Sequence, residues 1–195
     1  MAKIKLNEFK KFLASLNEDE LKAEMLKLIK LEQVQAFYAQ DLMSEADREK
    51  MLQEWKQKIR RQLITPAGKV KSNISNANIR KLISEFEKVV AFEYDLIDLL
   101  LHRVEVTIEA DIATEDWGLK SGDYNAALKA FERAIKLIQS NNFLTHFEQR
   151  CDAITEVKKD KAINYTFNLD LYDIYRTIKE LPEIKRYNTN IYFFR

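Results

Sequence analysis

Three glycines and two prolines in 195 residues leave this chain almost without the residues that bend a backbone sharply. Hairpin tips need positive φ and all-β folds need a turn signal every ~8–12 residues, so a shortage of breakers disfavours strands. Hydrophobic residues make up 46% of the sequence, and they recur at three- and four-residue intervals. The pattern predicts an all-α protein, a helical bundle or a short solenoid of about eight or nine helices, forming one domain over residues 1–195.

Leu6, Phe9, Phe12, Leu13 and Leu16 mark a first helix. Asn17 with Glu20 three residues later makes a capping box for a second, through Leu21, Met25, Leu28 and Ile29. Val34, Phe37, Tyr38 and Leu42 form a third apolar set, and Ser44 is placed to cap a long helix carrying Met51, Trp55, Ile59 and Leu63. Thr65-Pro66-Ala67-Gly68 and Ser72-Asn73 put the main loop at 64–74, because Pro blocks helix continuation and Gly allows positive φ. Helical spacing resumes from Ser75 to Val90 and from Phe92 to Ala113. Trp117-Gly118 and Ser121-Gly122 mark a break before the stripe Tyr124, Ala127, Leu128, Phe131, Ala134, Ile135 and Ile138, which Asn141-Asn142 ends. Leu144, Phe147, Cys151 and Ile154 define another helix. Asn168 is the expected cap of a last one, through Leu171, Tyr175 and Ile178, stopped by Pro182. The aromatic tail 187–195, with Tyr187, Tyr192, Phe193 and Phe194, either packs back on the body or forms a contact surface.

Charge is segregated although the formal net charge is only +1. Residues 55–81 carry Lys56, Lys58, Arg60, Arg61, Lys69, Lys71, Arg80 and Lys81 and no acid, whereas 91–116 carry eight acids against Arg103 alone. Blocks of opposite sign imply either internal pairing or a directed surface field. Lys58, Arg60 and Arg61 near a helix end, Lys69 and Lys71 in the loop, and Arg80 and Lys81 early in the next helix could surround a nucleic acid or another polyanion. Trp55 is the one ring in that stretch, so the aromatic interleaving of single-strand binders is missing. On the acidic helix, Asp98, His102, Glu105 and Glu109 fall on one narrow face, a donor set suited to a divalent metal in a bundle. The order is His-x-x-Glu rather than Glu-x-x-His, and no second helix offers a matching set; a solvated acidic face, or one paired with the basic segment, gives the same pattern.

Nucleophilic and nucleotide chemistry find little support. Cys151 sits on an apolar stripe, where a thiol behaves as a small hydrophobe, and no phosphate-cradling glycine motif occurs. One cysteine forms no intrachain disulfide, and the start MAKIKLNEFK lacks the apolar core of a secretory signal, so a cytoplasmic location is expected. No apolar run approaches the ~20 residues that span a bilayer. No cofactor is expected.

The run Gly122-Asp123-Tyr124-Asn125-Ala126-Ala127-Leu128-Lys129-Ala130-Phe131-Glu132-Arg133-Ala134-Ile135 resembles the second helix of a tetratricopeptide repeat, with Ala127 and Phe131 in its A-x-x-x-F pattern. The proline expected before the asparagine pair is replaced by Ser140, and no second copy is visible. From Leu6-Asn7-Glu8-Phe9-Lys10-Lys11-Phe12-Leu13 through Asp98-Leu99-Leu100-Leu101-His102-Arg103-Val104-Glu105 to Phe131-Glu132-Arg133-Ala134-Ile135, the chain also resembles a bacterial family of small helical proteins classed as a domain of unknown function. That resemblance implies an all-helical cytoplasmic protein and brings no activity or catalytic residue with it. The function expected first is a non-enzymatic protein-interaction or scaffold module for a protein or peptide partner, with Tyr192, Phe193 and Phe194 in the contact. Polyanion binding through 55–81 comes second and a metal-dependent activity third.

Overall fold

The computed structural model describes residues 5–31, 34, 44–90, 92–114, 118–156 and 164–180. Among these are eight helices: α1 (Leu6–Ala14), α2 (Glu18–Leu28), α3 (Glu45–Leu63), α4 (Asn76–Val89), α5 (Glu93–Ala113), α6 (Ser121–Ser140), α7 (Leu144–Thr155) and α8 (Tyr165–Tyr175). The extended pairing among the described residues is a single antiparallel bridge, Ile64 to Val70, so the protein is all-α. Phe37, Tyr38, Leu42 and the tail from Leu181 onward lie outside the described residues.

Local chemistry sets most helix ends. Asn17 and Glu20 complete the capping box, each side chain accepting the other's backbone N–H at 2.9 Å. Ser44 and Ser75 cap α3 and α4 by accepting from Asp47 N and Asn78 N. At the end of α6, Asn142 takes the left-handed conformation (φ 57°), and Phe143 N donates to Ile138 O at 2.9 Å, the bond that closes a Schellman motif. The last helix departs from expectation. Its cap is Asn164, which accepts from Phe167 N at 3.2 Å, and Asn168 lies inside α8, buried. Its side chain donates to Glu156 O, and α8 ends at Tyr175, short of Ile178. Ser121-Gly122 likewise opens α6 rather than breaking the chain before it.

Between α3 and α4, Gly68 sits at φ 79°, and Lys71 N donates to Leu63 O at 2.8 Å. Gly118, at φ 58°, makes the second sharp bend, where an added Cβ would lie 3.2 Å from the Tyr124 hydroxyl.

Every buried residue among those described lies from Leu52 onward. α5 is the axis of this core, with Leu96, Ile97, Leu99, Leu100, Leu101, Val104, Val106 and Ala110 all buried, and it packs against α3, α4, α6 and α7. Its broadest contact is with α6, whose Ala127, Ala130 and Ala134 are buried; small side chains let two helices approach closely. Asp111, at the C-terminal end of α5, pins two other elements. Its carboxylate accepts from the Tyr124 hydroxyl on α6 and, at 2.9 Å, from Asn164 N at the start of α8. Burial and the bond to Asp111 push the Tyr124 phenol up to about 12, so it remains a donor at neutral pH.

Candidate functional site

Residues four apart on a helix share a face, and the fold brings Asp98, His102, Glu105 and Glu109 of α5 together as the spacing requires. What faces them comes from α3 and α7. Lys56 places Nζ 2.7 Å from Asp98, and Arg60 forks onto both oxygens of Glu109. Arg150 of α7 reaches between the remaining acids. Its Nε and Nη2 donate to Glu105 at 2.5 and 2.8 Å, and its Nη1 donates to Asp98 at 2.6 Å. His102 holds Nε2 3.2 Å from the Lys56 carbonyl and Nδ1 3.7 Å from Glu105.

The result is a seam of alternating charge across three helices. Burial alone would push the Glu105 carboxyl up; hydrogen bonds from Arg150 and His102 outweigh it and hold the group at about 2. The same carboxylates keep Arg150 firmly protonated against the effect of its burial. In the space where the metal reading of Asp98, His102, Glu105 and Glu109 would put an ion, the fold supplies the Arg150 guanidinium. Among the described residues, no group of three or more His, Cys, Asp or Glu side chains is spaced to hold a metal.

The basic segment is divided by the same geometry. Lys56 and Arg60 turn inward to α5, and Lys58 rests its ammonium 4.0 Å from the centre of the Trp55 ring. Arg61, Lys69, Arg80 and Lys81 are exposed and Lys71 is half-buried. Arg60 and Arg61 border a shallow depression of ≈ 290 Å³ with Thr65, Pro66 and Gly68, while Arg80 borders a different cleft, between α4 and α6. Lys71 borders a third, with Val70 and Leu119, so the cations do not share one concavity.

Cys151 is fully buried and burial pushes its thiol up to about 12, far from the lowered range of reactive cysteines. Tyr192, Phe193 and Phe194 lie outside the described residues. One arginine escaped the sequence reading, and a second was noted there only for its charge. Arg150 is a lone cation beside the apolar stripe of α7, and the signal was its position next to Cys151. Arg103, the lone base in the acidic block, is buried in the core of the fold.

The surface left unspent is at the N-terminus. Phe9, Phe12, Leu21, Met25 and Leu28 of α1 and α2 are all exposed, and α2 buries no side chain. Among the described residues no helix is long and apolar enough to cross a membrane.

The profile of a family of unknown function, DUF6155, matches residues 2–178. The chain belongs to that family. The DUF6155 match takes in α1 and α2, the charged seam and the whole of α8 alike. No curated protein and no solved structure matches the chain.

Proposed function

We propose that this DUF6155 chain is a non-enzymatic interaction module of the bacterial cytoplasm, and that its α1–α2 hairpin joins a second copy of the chain. One observation carries the reading: two consecutive short helices, the second opened by a capping box, hold apolar side chains in solvent, with Phe12 46% and Met25 51% exposed. Helices of 9 and 11 residues are too short to be stable alone, since isolated helices below ~12–15 residues are marginal in water. Something must cover them. A second hairpin is suited to the task by charge: α1 and its cap carry Lys5, Lys10 and Lys11 against Glu8, whereas α2 opens with Glu18, Asp19 and Glu20. A two-fold axis that lays α1 of one copy along α2 of the other pairs opposite signs around the buried rings.

Sedimentation equilibrium tests this. Wild-type protein should be dimeric, and Phe12→Glu with Met25→Glu should be monomeric with an unchanged helical circular dichroism spectrum. A monomeric wild type, or a dimer indifferent to both charges, overturns the reading.

A second reading, binding of nucleic acid or another polyanion, is favoured by the exposure of Arg61, Lys69, Arg80 and Lys81. Affinity for nucleic acid should then fall steeply with salt and weaken when Arg60, Arg61, Lys69 and Lys71 are replaced by Ala. Binding that survives the quadruple substitution removes it.

A further inference from the structure

Two arginines lie against or within α5 with opposite surroundings at their heads, the first half-buried and the second fully buried. Arg150, packed against it from α7, is enclosed by carboxylates of Asp98 and Glu105. Arg103 of α5 itself is 1% exposed, and its guanidinium donates to the Thr107 hydroxyl and, at 2.9 Å, to Asn76 Oδ1, both neutral groups. The buried acid whose field it feels, Asp123, spends a carboxylate oxygen on Asn76 Nδ2 at 2.6 Å, so the amide stands between the two charges. Among the described residues no carboxylate forms an ion pair with Arg103. Burial lowers its pKa to about 10, which still leaves it charged at neutral pH. A guanidinium withdrawn from water without a matching anion is costly, by several kcal/mol in ordinary proteins.

Arg103 also lines a cleft of ≈ 360 Å³ between α4, α5 and α6. That volume falls within the ~300–1,000 Å³ typical of small-molecule sites. Its walls are mainly apolar, from Ile79, Ile83, Leu100 and Ala130. Its rim carries the exposed cations Arg80 and Lys129, together with Arg133, which is paired with Glu87. An apolar trough with a buried guanidinium in its lining and an excess of positive charge at its edge matches a particular ligand chemistry: an anionic head that a planar fork can grip at two oxygens, on a short hydrocarbon body. Inorganic phosphate satisfies the cations but leaves the isoleucine walls wet. A neutral hydrocarbon does the reverse.

We propose that this cleft is a binding site for a small amphipathic carboxylate, its head directed at Arg103 and drawn in by Arg80 and Lys129, its apolar body lying on Ile79 and Ile83. The site lies on α4, α5 and α6, apart from α1 and α2, so it does not depend on self-association.

Calorimetric titration with octanoate, alongside octylamine, octanol and inorganic phosphate, tests it, with melting temperature as a second readout. Octanoate should bind with 1:1 stoichiometry and raise the melting temperature, and the other three should do neither at equal concentration. Arg103→Met risks misfolding because the side chain is buried, so two other variants decide. Arg80→Gln with Lys129→Gln alters exposed positions and should weaken octanoate about tenfold, the equivalent of one charge-assisted contact. Ala126→Phe should fill the trough and abolish binding with the helical spectrum retained. Octanoate binding that either variant leaves untouched, equal binding of octanol or octylamine, equal binding of phosphate, or no binding of octanoate at millimolar concentration each overturns the proposal.

Discussion

Phe12 and Phe131 look alike in the sequence: each is an aromatic ring on a helical apolar stripe flanked by charge. In the fold Phe131 is completely buried and Phe12 is 46% exposed. The difference lies in what surrounds each helix. α6 packs on α5 and α8, whereas α1 and α2 belong to none of the extensive helix contacts, all of which fall within α3–α8. Periodicity therefore identifies which face of a helix wants a partner and is silent about where the partner is. The largest expected effect tests this contrast. Phe131→Ala should cost about 3–5 kcal/mol in urea unfolding. Phe12→Ala, measured on protein diluted to monomer, should cost less than ~0.5 kcal/mol, as exposed substitutions do. Equal losses at the two sites would mean that the hairpin is packed as core, and the contrast would fail.

The next effect probes how the body, unlike the hairpin, disposes of its charges. Removing Arg150 takes the main cation from Glu105 and leaves Asp98 with Lys56 alone in a part-buried seam. Arg150→Ala should therefore cost about 2–3 kcal/mol, in line with hydrogen bonds to charged groups. A pH titration of stability separates this from simple loss of packing. The folded pKa of Glu105 is depressed to about 2, below the unfolded value of ~4.3. Its contribution is thus present above ~4.3 and disappears as pH falls toward 2, because the unfolded chain takes up the proton first. Wild type should lose stability across that window more steeply than Arg150→Ala. Parallel curves would show that the guanidinium contributes no more than bulk.

How much of this was legible follows from where the information sits. Asn17 with Glu20, and Ser44, were readable as caps because a cap is decided by the residue and its next three neighbours. The same rule misplaced the start of α8, where Asn164 and Asn168 stand one helical turn apart before the same apolar run, and burial of Asn168 rather than its local sequence decided between them. The shared face of Asp98, His102, Glu105 and Glu109 was legible from the helical period. Its meaning was not, since Arg150 is 45 residues from Glu105 and 52 from Asp98 and reaches them only after α7 has docked. Segregation of charge left internal pairing and a directed surface field both open, and Lys56 to Asp98 and Arg60 to Glu109 are the pairs that form. Arg103 stood out in the acidic block, but its burial and its lack of a carboxylate partner belong to tertiary structure alone.

A smaller effect separates two glycines of the body. Gly118 and Gly68 both hold positive φ, but a Cβ at Gly118 would press on the Tyr124 hydroxyl at 3.2 Å, whereas nothing lies within 4 Å of the corresponding position at Gly68. Both alanine variants suffer the conformational cost of about 1 kcal/mol. Gly118→Ala should lose more, because Tyr124 is anchored by Leu119 N and Asp111 and has little room to yield. Thermal unfolding that ranks Gly68→Ala as the worse variant would show that the Tyr124 anchor gives way easily.

The smallest effect returns to the hairpin. Lys22 and Glu18 form an ion pair at 2.6 Å, with side chains 64% and 83% exposed, the opposite extreme from Lys56 and Asp98, at 12% and 17%. In high dielectric such a pair at i, i+4 contributes only about 0.3–0.5 kcal/mol, and salt screens it. Lys22→Gln should leave the melting temperature of the body unchanged, and raising ionic strength should erase whatever difference remains. Lys56→Gln should instead lower stability at every ionic strength, because its partner is enclosed between helices and keeps only Arg150 as a cation. If the two substitutions behave alike, the body's ion pairs are as solvated as those of the hairpin, and shielding by α3 and α7 is not what makes the seam strong.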